Sequence, residues 1–204
     1  MTEKTSLLNP SGQLAPLPAG MDYFTYMLGG ERLAVSPADL TRRFHEMSKQ
    51  VHPDRFTTKG PEQRALSVAH AELLNQAYRT LKDPLERTKY LLQRHGVDSP
   101  AEKRVPVELA EEYFELQELA MEAQGGTPEE RAALAERLQG IRANLDATRS
   151  KAQEQLDGLF ATWDATPASE QATREALLQR FAKLIHDDNY ARSMRRDIQE
   201  KFEV

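Results

Sequence analysis

Cysteine is absent from all 204 residues of this chain. That excludes disulfides, thiolate metal sites and cysteine nucleophiles, and it is compatible with a reducing cytoplasm, the expected location. Aromatic residues are scarce, at 7%. No apolar run approaches the roughly 20 residues a membrane-spanning helix needs. The first twenty residues hold a single lysine, Lys4, and no continuous apolar stretch, so they lack the pattern of a secretory signal. Pro10, Ser11-Gly12, Pro16, Pro18 and Gly20 mark residues 1–20 as a flexible leader. There is no glycine-rich phosphate loop and no segment with a strand pattern. A formal net charge of −5 argues against a general nucleic-acid binder, although local basic patches survive that average. No membrane or nucleic-acid partner and no cofactor are expected.

What the chain does have is helix punctuation. Asp22 is placed to cap a short helix, Tyr23 to Leu28, that Gly29-Gly30 ends. Ser36-Pro37-Ala38-Asp39 is a helix start, with a serine cap, proline in the first turn and an acid at the positive end of the dipole. Pro61 opens a helix to about Leu81, and Asp83-Pro84-Leu85-Glu86 opens another that stops at Gly96. Residues 97–106 are rich in turn formers and read as a linker between residues 21–96 and residues 107–204. The second region holds helices over Val107 to Gln124, from the capping box Thr127-Pro128-Glu129-Glu130 to about Trp163, and from Thr166-Pro167 onward. The polar run His186-Asp187-Asp188-Asn189 is expected to bend that last helix. The fold class is therefore all-α, a helical hairpin with short flanking helices followed by a three-helix bundle.

The chain is organised around Leu40 to Phe56. Leu40, Phe44, Met47 and Val51 recur at intervals of four, three and four and line one helix face. Arg42, Arg43, Lys49 and Gln50 fall away from it. Pro53 has no amide hydrogen and biases His52 away from helical angles, so the helix ends near Val51. The basic helix and the one after it pack as an antiparallel hairpin whose tip displays His52, Pro53 and Asp54, with Arg55 beside them. A basic face next to an exposed acid suits a partner with an acidic surface and an arginine. The rival reading is a metal-dependent enzyme using His52, Asp54 and His186. One imidazole and one carboxylate in a loop make a poor metal shell, and no HExxH spacing appears.

Helix, His52-Pro53-Asp54 and helix, followed by Leu81-Lys82-Asp83-Pro84, Arg87 and Tyr90, resembles a J domain. Asp22-Tyr23-Phe24, Val51-His52-Pro53-Asp54-Arg55-Phe56 and Asn75-Gln76-Ala77-Tyr78 resemble one subgroup, the HscB co-chaperones of iron–sulfur cluster assembly. The likeness runs from about Met21 to Val204. There is neither a Gly/Phe-rich linker nor a cysteine-rich zinc region. The resemblance implies a protein with no active site of its own. Its His-Pro-Asp turn, with Arg42, Arg43, Lys49 and Arg55, would stimulate the ATPase of a DnaK-like chaperone, HscA. Its C-terminal domain would hold the scaffold IscU. A J protein with a different client is the alternative.

For that second task the sequence offers the helix from Val107 to Gln124. Leu109, Tyr113, Leu116, Ala120 and Ala123 form its core face. Glu111, Glu115, Glu118 and Glu122 form a stripe on the other side, flanked by Phe114. A phenyl ring displaced from the core face beside four carboxylates points to an interface. The resemblance implies scaffold binding by an acidic and apolar patch here, with Ala110 and Glu111 standing where the family has bulky apolar residues. It also implies an aromatic contribution from the last helix, at His186 or Tyr190.

Overall fold

The computed structural model describes residues 6–97, 105–122 and 127–202, and every regular element among them is helical. They are α1 (Tyr23–Leu28), α2 (Pro37–Val51), α3 (Pro61–Lys82), α4 (Pro84–Arg94), α5 (Ala110–Glu122), α6 (Pro128–Ala165) and α7 (Gln171–Phe202). Short 3-10 turns, Pro53–Phe56 and Val107–Leu109, precede α3 and α5. The caps act as the sequence dictates. Asp22 accepts the Thr25 N–H, and Ser36 accepts that of Asp39. Asp83 accepts the N–H groups of Leu85 and Glu86. Thr127 and Glu130 exchange both bonds of a capping box. Gly29 (φ 77°) and Gly96 (φ 65°) take the left-handed conformation that closes a helix C-terminus.

The chain forms two compact units, residues 1–90 with 160–167, and residues 91–159 with 168–204. In the first, α2 and α3 run antiparallel. Ser67 donates to the Val51 carbonyl at 2.7 Å near the tip, while Thr41 and Tyr78 meet hydroxyl to hydroxyl at 3.0 Å at the far end. Leu40, Met47, Val51 and Phe56 are buried against Leu74, Ala77 and Leu81. Phe44, only half-buried, stacks on Tyr78 at 4.3 Å. The first unit also holds the end of α6. Asp164 accepts the N–H groups of Leu33 and Ala34 at 2.7 and 2.9 Å, and the buried Arg87 guanidinium lies over the Phe160 ring. These bonds draw residues 160–167 out of the C-terminal bundle that the sequence assigns them to.

The expectation of a flexible leader over residues 1–20 needs correction from Ser6 onward. Leu14 is 2% exposed. Its N–H and C=O both bond the Gln63 carboxamide, at 2.8 and 3.2 Å. His70 reaches the Ala15 carbonyl through Nε2 at 2.8 Å, and Gln50 accepts the Leu7 N–H at 3.0 Å. Asn9 closes a turn by accepting the N–H groups of Ser11 and Gln13, which folds Leu8 back beside Leu14. Residues 1–5 lie outside the described residues.

In the second unit α5, α6 and α7 bury Leu109, Leu116, Leu119, Leu138, Ile141, Leu145, Ala191, Met194 and Ile198 in one core. The last helix starts at Gln171, not at Thr166-Pro167. Thr166 instead ends α6, its N–H bonding the carbonyls of Thr162 and Trp163. Nor does His186-Asp187-Asp188-Asn189 interrupt α7, which is continuous there. Asp188 is 1% exposed and is held by Arg149 at 3.1 Å and Arg192 at 2.7 Å, while Asp187 takes Lys183 at 3.0 Å. Paired charge makes those carboxylates compatible with the helix interior.

Candidate functional site

The tip of the α2/α3 hairpin is built from its helix ends. His52 has extended backbone angles (φ −58°, ψ 126°), as a residue before proline must, and Pro53 begins a 3-10 turn. The turn buries only Phe56, which anchors it, and leaves His52, Pro53, Asp54 and Arg55 exposed. The His52 Nδ1 accepts the Asp54 N–H at 3.3 Å. An acceptor Nδ1 fixes the tautomer in which Nε2 carries the proton of a neutral ring. The Asp54 carboxylate is 86% exposed and 3.6 Å from the imidazole, an ion pair when the ring is protonated. The turn therefore offers a partner one N–H donor and one carboxylate acceptor on a backbone whose geometry proline restricts.

The four cations of this site differ in how they are held. Arg42 pairs with Asp39 at 2.6 Å, and Arg55 donates to the Lys49 carbonyl at 2.7 Å, satisfying the open end of α2. Lys49 is exposed. Arg43 is half-buried, and its pKa is lowered first by that burial, against the raising effect of Glu46 and with the help of Arg32. The residues following the hairpin explain the pattern Asp-Pro, Arg, Tyr. Asp83 caps α4, Arg87 is buried, and Tyr90 stacks on Tyr23 at 4.5 Å while its hydroxyl accepts the Tyr23 N–H at 3.0 Å.

The second candidate surface is α5. Phe114 is 65% exposed, as its displacement from the core face requires. Glu111 and Glu118 are exposed, and Ala110 and Glu115 are half-buried; the Glu122 side chain lies outside the described residues, as does Ala123. Sequence reasoning missed two members of this surface, Val107 and Met121, which are 87% and 79% exposed. Met121 lies seven residues beyond Phe114 on α5, which places the two on one side of that helix, and Val107 lies in the 3-10 turn just before it. Sequence reasoning also missed Arg137 of α6, which pairs with Glu115 at 3.2 Å and reaches Glu118 at 3.9 Å. On α7, Tyr190 packs against the core, with its ring 6.3 Å from Tyr113 and 6.3 Å from His186. Burial, then the charges of Tyr113 and Asp197, raise the Tyr190 pKa.

Among the described residues, no group of three or more His, Asp or Glu side chains is placed to hold a metal ion. No helix among the described residues is long and apolar enough to cross a membrane.

No family model matches the chain. It is 39% identical over 84 residues to the co-chaperone protein HscB of Proteus mirabilis (strain HI4320). That match takes in 41% of this chain and spans about half, 49%, of the relative's length. In fold it is similar to the crystal structure of human co-chaperone protein HscB, with a TM-score of 0.62 at 21% identity over 97% of this chain and 91% of that one. The chaperone HscB from Vibrio cholerae is similar with a TM-score of 0.58 at 24% identity, over 88% of this chain and 96% of that one.

Proposed function

We propose, from the premise that this chain is a homologue of the HscB co-chaperones, that it stimulates the ATPase of a DnaK/HscA-type chaperone and delivers an IscU-type scaffold to it for iron–sulfur cluster assembly. The observation that carries the reading is the exposed His52-Pro53-Asp54 turn, held on Phe56 at the tip of the α2/α3 hairpin. The protein is an adaptor in this reading. It performs no chemistry and needs no cofactor, and it works in the cytoplasm. His52, Pro53 and Asp54 contact the chaperone, and Arg42, Arg43, Lys49 and Arg55 steer it electrostatically.

The scaffold end is α5. Val107, Phe114 and Met121 supply exposed apolar surface, and Glu111 and Glu118 flank it with carboxylates. An apolar centre with a charged rim is how specific protein interfaces are composed. Bulky residues at 107 and 121 supply apolar surface that Ala110 and Glu111 do not. Two assays with purified partners test the reading: ATPase stimulation for the hairpin, and scaffold capture for α5. An intact protein that neither stimulates the chaperone nor captures the scaffold would refute it.

A further inference from the structure

The carboxylates of α5 are not all bare. Arg137 reaches them from α6, with Nε 3.2 Å from Glu115 and Nη2 3.9 Å from Glu118. Two nitrogens of one guanidinium thus meet two carboxylates three positions apart, which on a helix are neighbours on one side. Glu118 also follows Phe114 by four positions and precedes Met121 by three, so it stands between the exposed apolar side chains and the cation. The root of Arg137 is fixed, because the next residue, Leu138, and Ile141 are buried in the core shared by α5, α6 and α7.

Burial separates this contact from a structural pin. Asp188 with Arg149 and Arg192 uses the same chemistry, but Asp188 is sealed, at 1% exposure. The side chains of Arg137 and Glu115 are each 40% exposed, and that of Glu118 is 70% exposed. Water and other cations compete at that exposure, and such a pair contributes little to folding. The contact is exchangeable, and it lies on the face assigned above to the client. A guanidinium held there weakens the pull of both acids on an approaching cation and fills the position that cation would take.

We infer that Arg137 is a built-in competitor on the client surface, holding Glu115 and Glu118 until a lysine or arginine of the scaffold displaces it. The inference rests on the α5 reading above and adds a regulation of that site. A residue outside α5 lowers the affinity for the scaffold and makes it less dependent on salt. The scaffold side chain that displaces it is a cation placed beside the apolar group that covers Phe114.

The test uses the full-length protein and its Arg137→Gln, Arg137→Lys, Phe114→Ala and Arg180→Gln variants, with the purified IscU-type scaffold on a biosensor surface at several NaCl concentrations. Arg180→Gln removes the same charge elsewhere. Arg180 is exposed and lines a concavity with Gln155, which lies roughly 27 Å from Arg137 along α6 at about 1.5 Å per residue. The pair of Arg137 is exposed, so Arg137→Gln should keep the wild-type helicity by circular dichroism. It is expected to bind the scaffold about two- to five-fold tighter than the wild type at low salt, the size of one exposed ion pair, with the gain closing as salt rises. Arg137→Lys, which keeps the charge, should fall between the two. In a Glu115→Gln background the gain from Arg137→Gln should shrink, because the competitor has lost its main partner. Equal or weaker binding by Arg137→Gln, or an equal gain from Arg180→Gln, with Phe114→Ala still weakened, overturns the competitor and leaves the α5 reading standing. Absence of scaffold capture by the wild type overturns both.

Discussion

Gln63 of α3 holds the backbone of Leu14 by two hydrogen bonds, accepting its N–H at 2.8 Å and donating to its carbonyl at 3.2 Å. A residue 49 positions away thereby gives the N-terminal segment a fixed seat, and Leu14 is buried there. The backbone groups of an isolated extended segment have to find partners somewhere, and a carboxamide supplies both kinds at once.

This seat has a measurable worth. Leu14→Ala is expected to destabilise the protein by roughly 2 kcal/mol in chemical denaturation, at the low end for a buried leucine because the segment can settle. Gln63→Ala should cost about 1 kcal/mol. A detached tail would give no change for either variant.

Asp188 should be among the most sensitive positions of the second unit. Its carboxylate is 1% exposed and faces Arg149 and Arg192, whose side chains are 33% and 41% exposed. Asp188→Ala is expected to cost roughly 2–3 kcal/mol, less than a fully buried pair because both arginines still reach water. Asp188→Asn, which keeps the acceptor oxygen, should cost less. Equal unfolding midpoints for Asp188→Ala and wild type would contradict the pairing.

A pH dependence follows from Glu108 and Lys183, 2.7 Å apart. The hydrogen bond from Lys183 lowers the Glu108 pKa, and the bond to Glu108 raises that of Lys183. The Glu108 contribution is present above its unfolded-state pKa and is lost as pH falls through the depressed folded value. The Lys183 contribution is present below its unfolded-state pKa and is lost as pH rises through the raised folded value. The pair therefore stabilises across the window between the ordinary values of 4.5 and 10.5. Both side chains are more than half exposed, so the wild type should exceed Glu108→Gln by less than about 1 kcal/mol at neutral pH. That margin should vanish in stronger acid and in strong alkali, as followed by urea unfolding across pH.

On α5, Phe114→Ala is expected to weaken scaffold binding about tenfold or more, chiefly through faster dissociation, with no loss of helicity because the ring is exposed. Glu118→Lys should weaken it with a changed salt dependence. The isolated scaffold on a biosensor surface reads both. Met121→Ala tests the apolar stripe that runs beyond Phe114. Wild-type kinetics in Phe114→Ala and Glu118→Lys together would move the client site elsewhere.

Much of this molecule is legible in its sequence because helix starts and stops are local. Ser36 and the Thr127–Glu130 box act within three residues, and the His52-Pro53 break is a steric effect on a neighbour. What escapes is whatever depends on a distant partner. Asp187 and Asp188 look like a break in the apolar pattern until Arg149, 39 residues before Asp188, is placed beside it. Asp164 reads as the end of a bundle helix, yet it bonds Leu33, 131 residues away. Leu14 sits among Pro10, Gly12, Pro16 and Pro18, turn formers that break up any regular element that would mark it as core. On α5 and the 3-10 turn before it, the core-facing and outward apolar residues interleave, which concealed Val107 and Met121 among Leu109, Leu116 and Leu119.

The most direct test of the central claim is the steady-state ATPase rate of the DnaK/HscA-type chaperone with scaffold present and saturating wild type, His52→Gln or Asp54→Asn. Both side chains are exposed, so circular dichroism should show the same helicity in all three proteins. The account predicts strong stimulation by the wild type and a rate near the unstimulated level for each variant. Full stimulation by both correctly folded variants would contradict it.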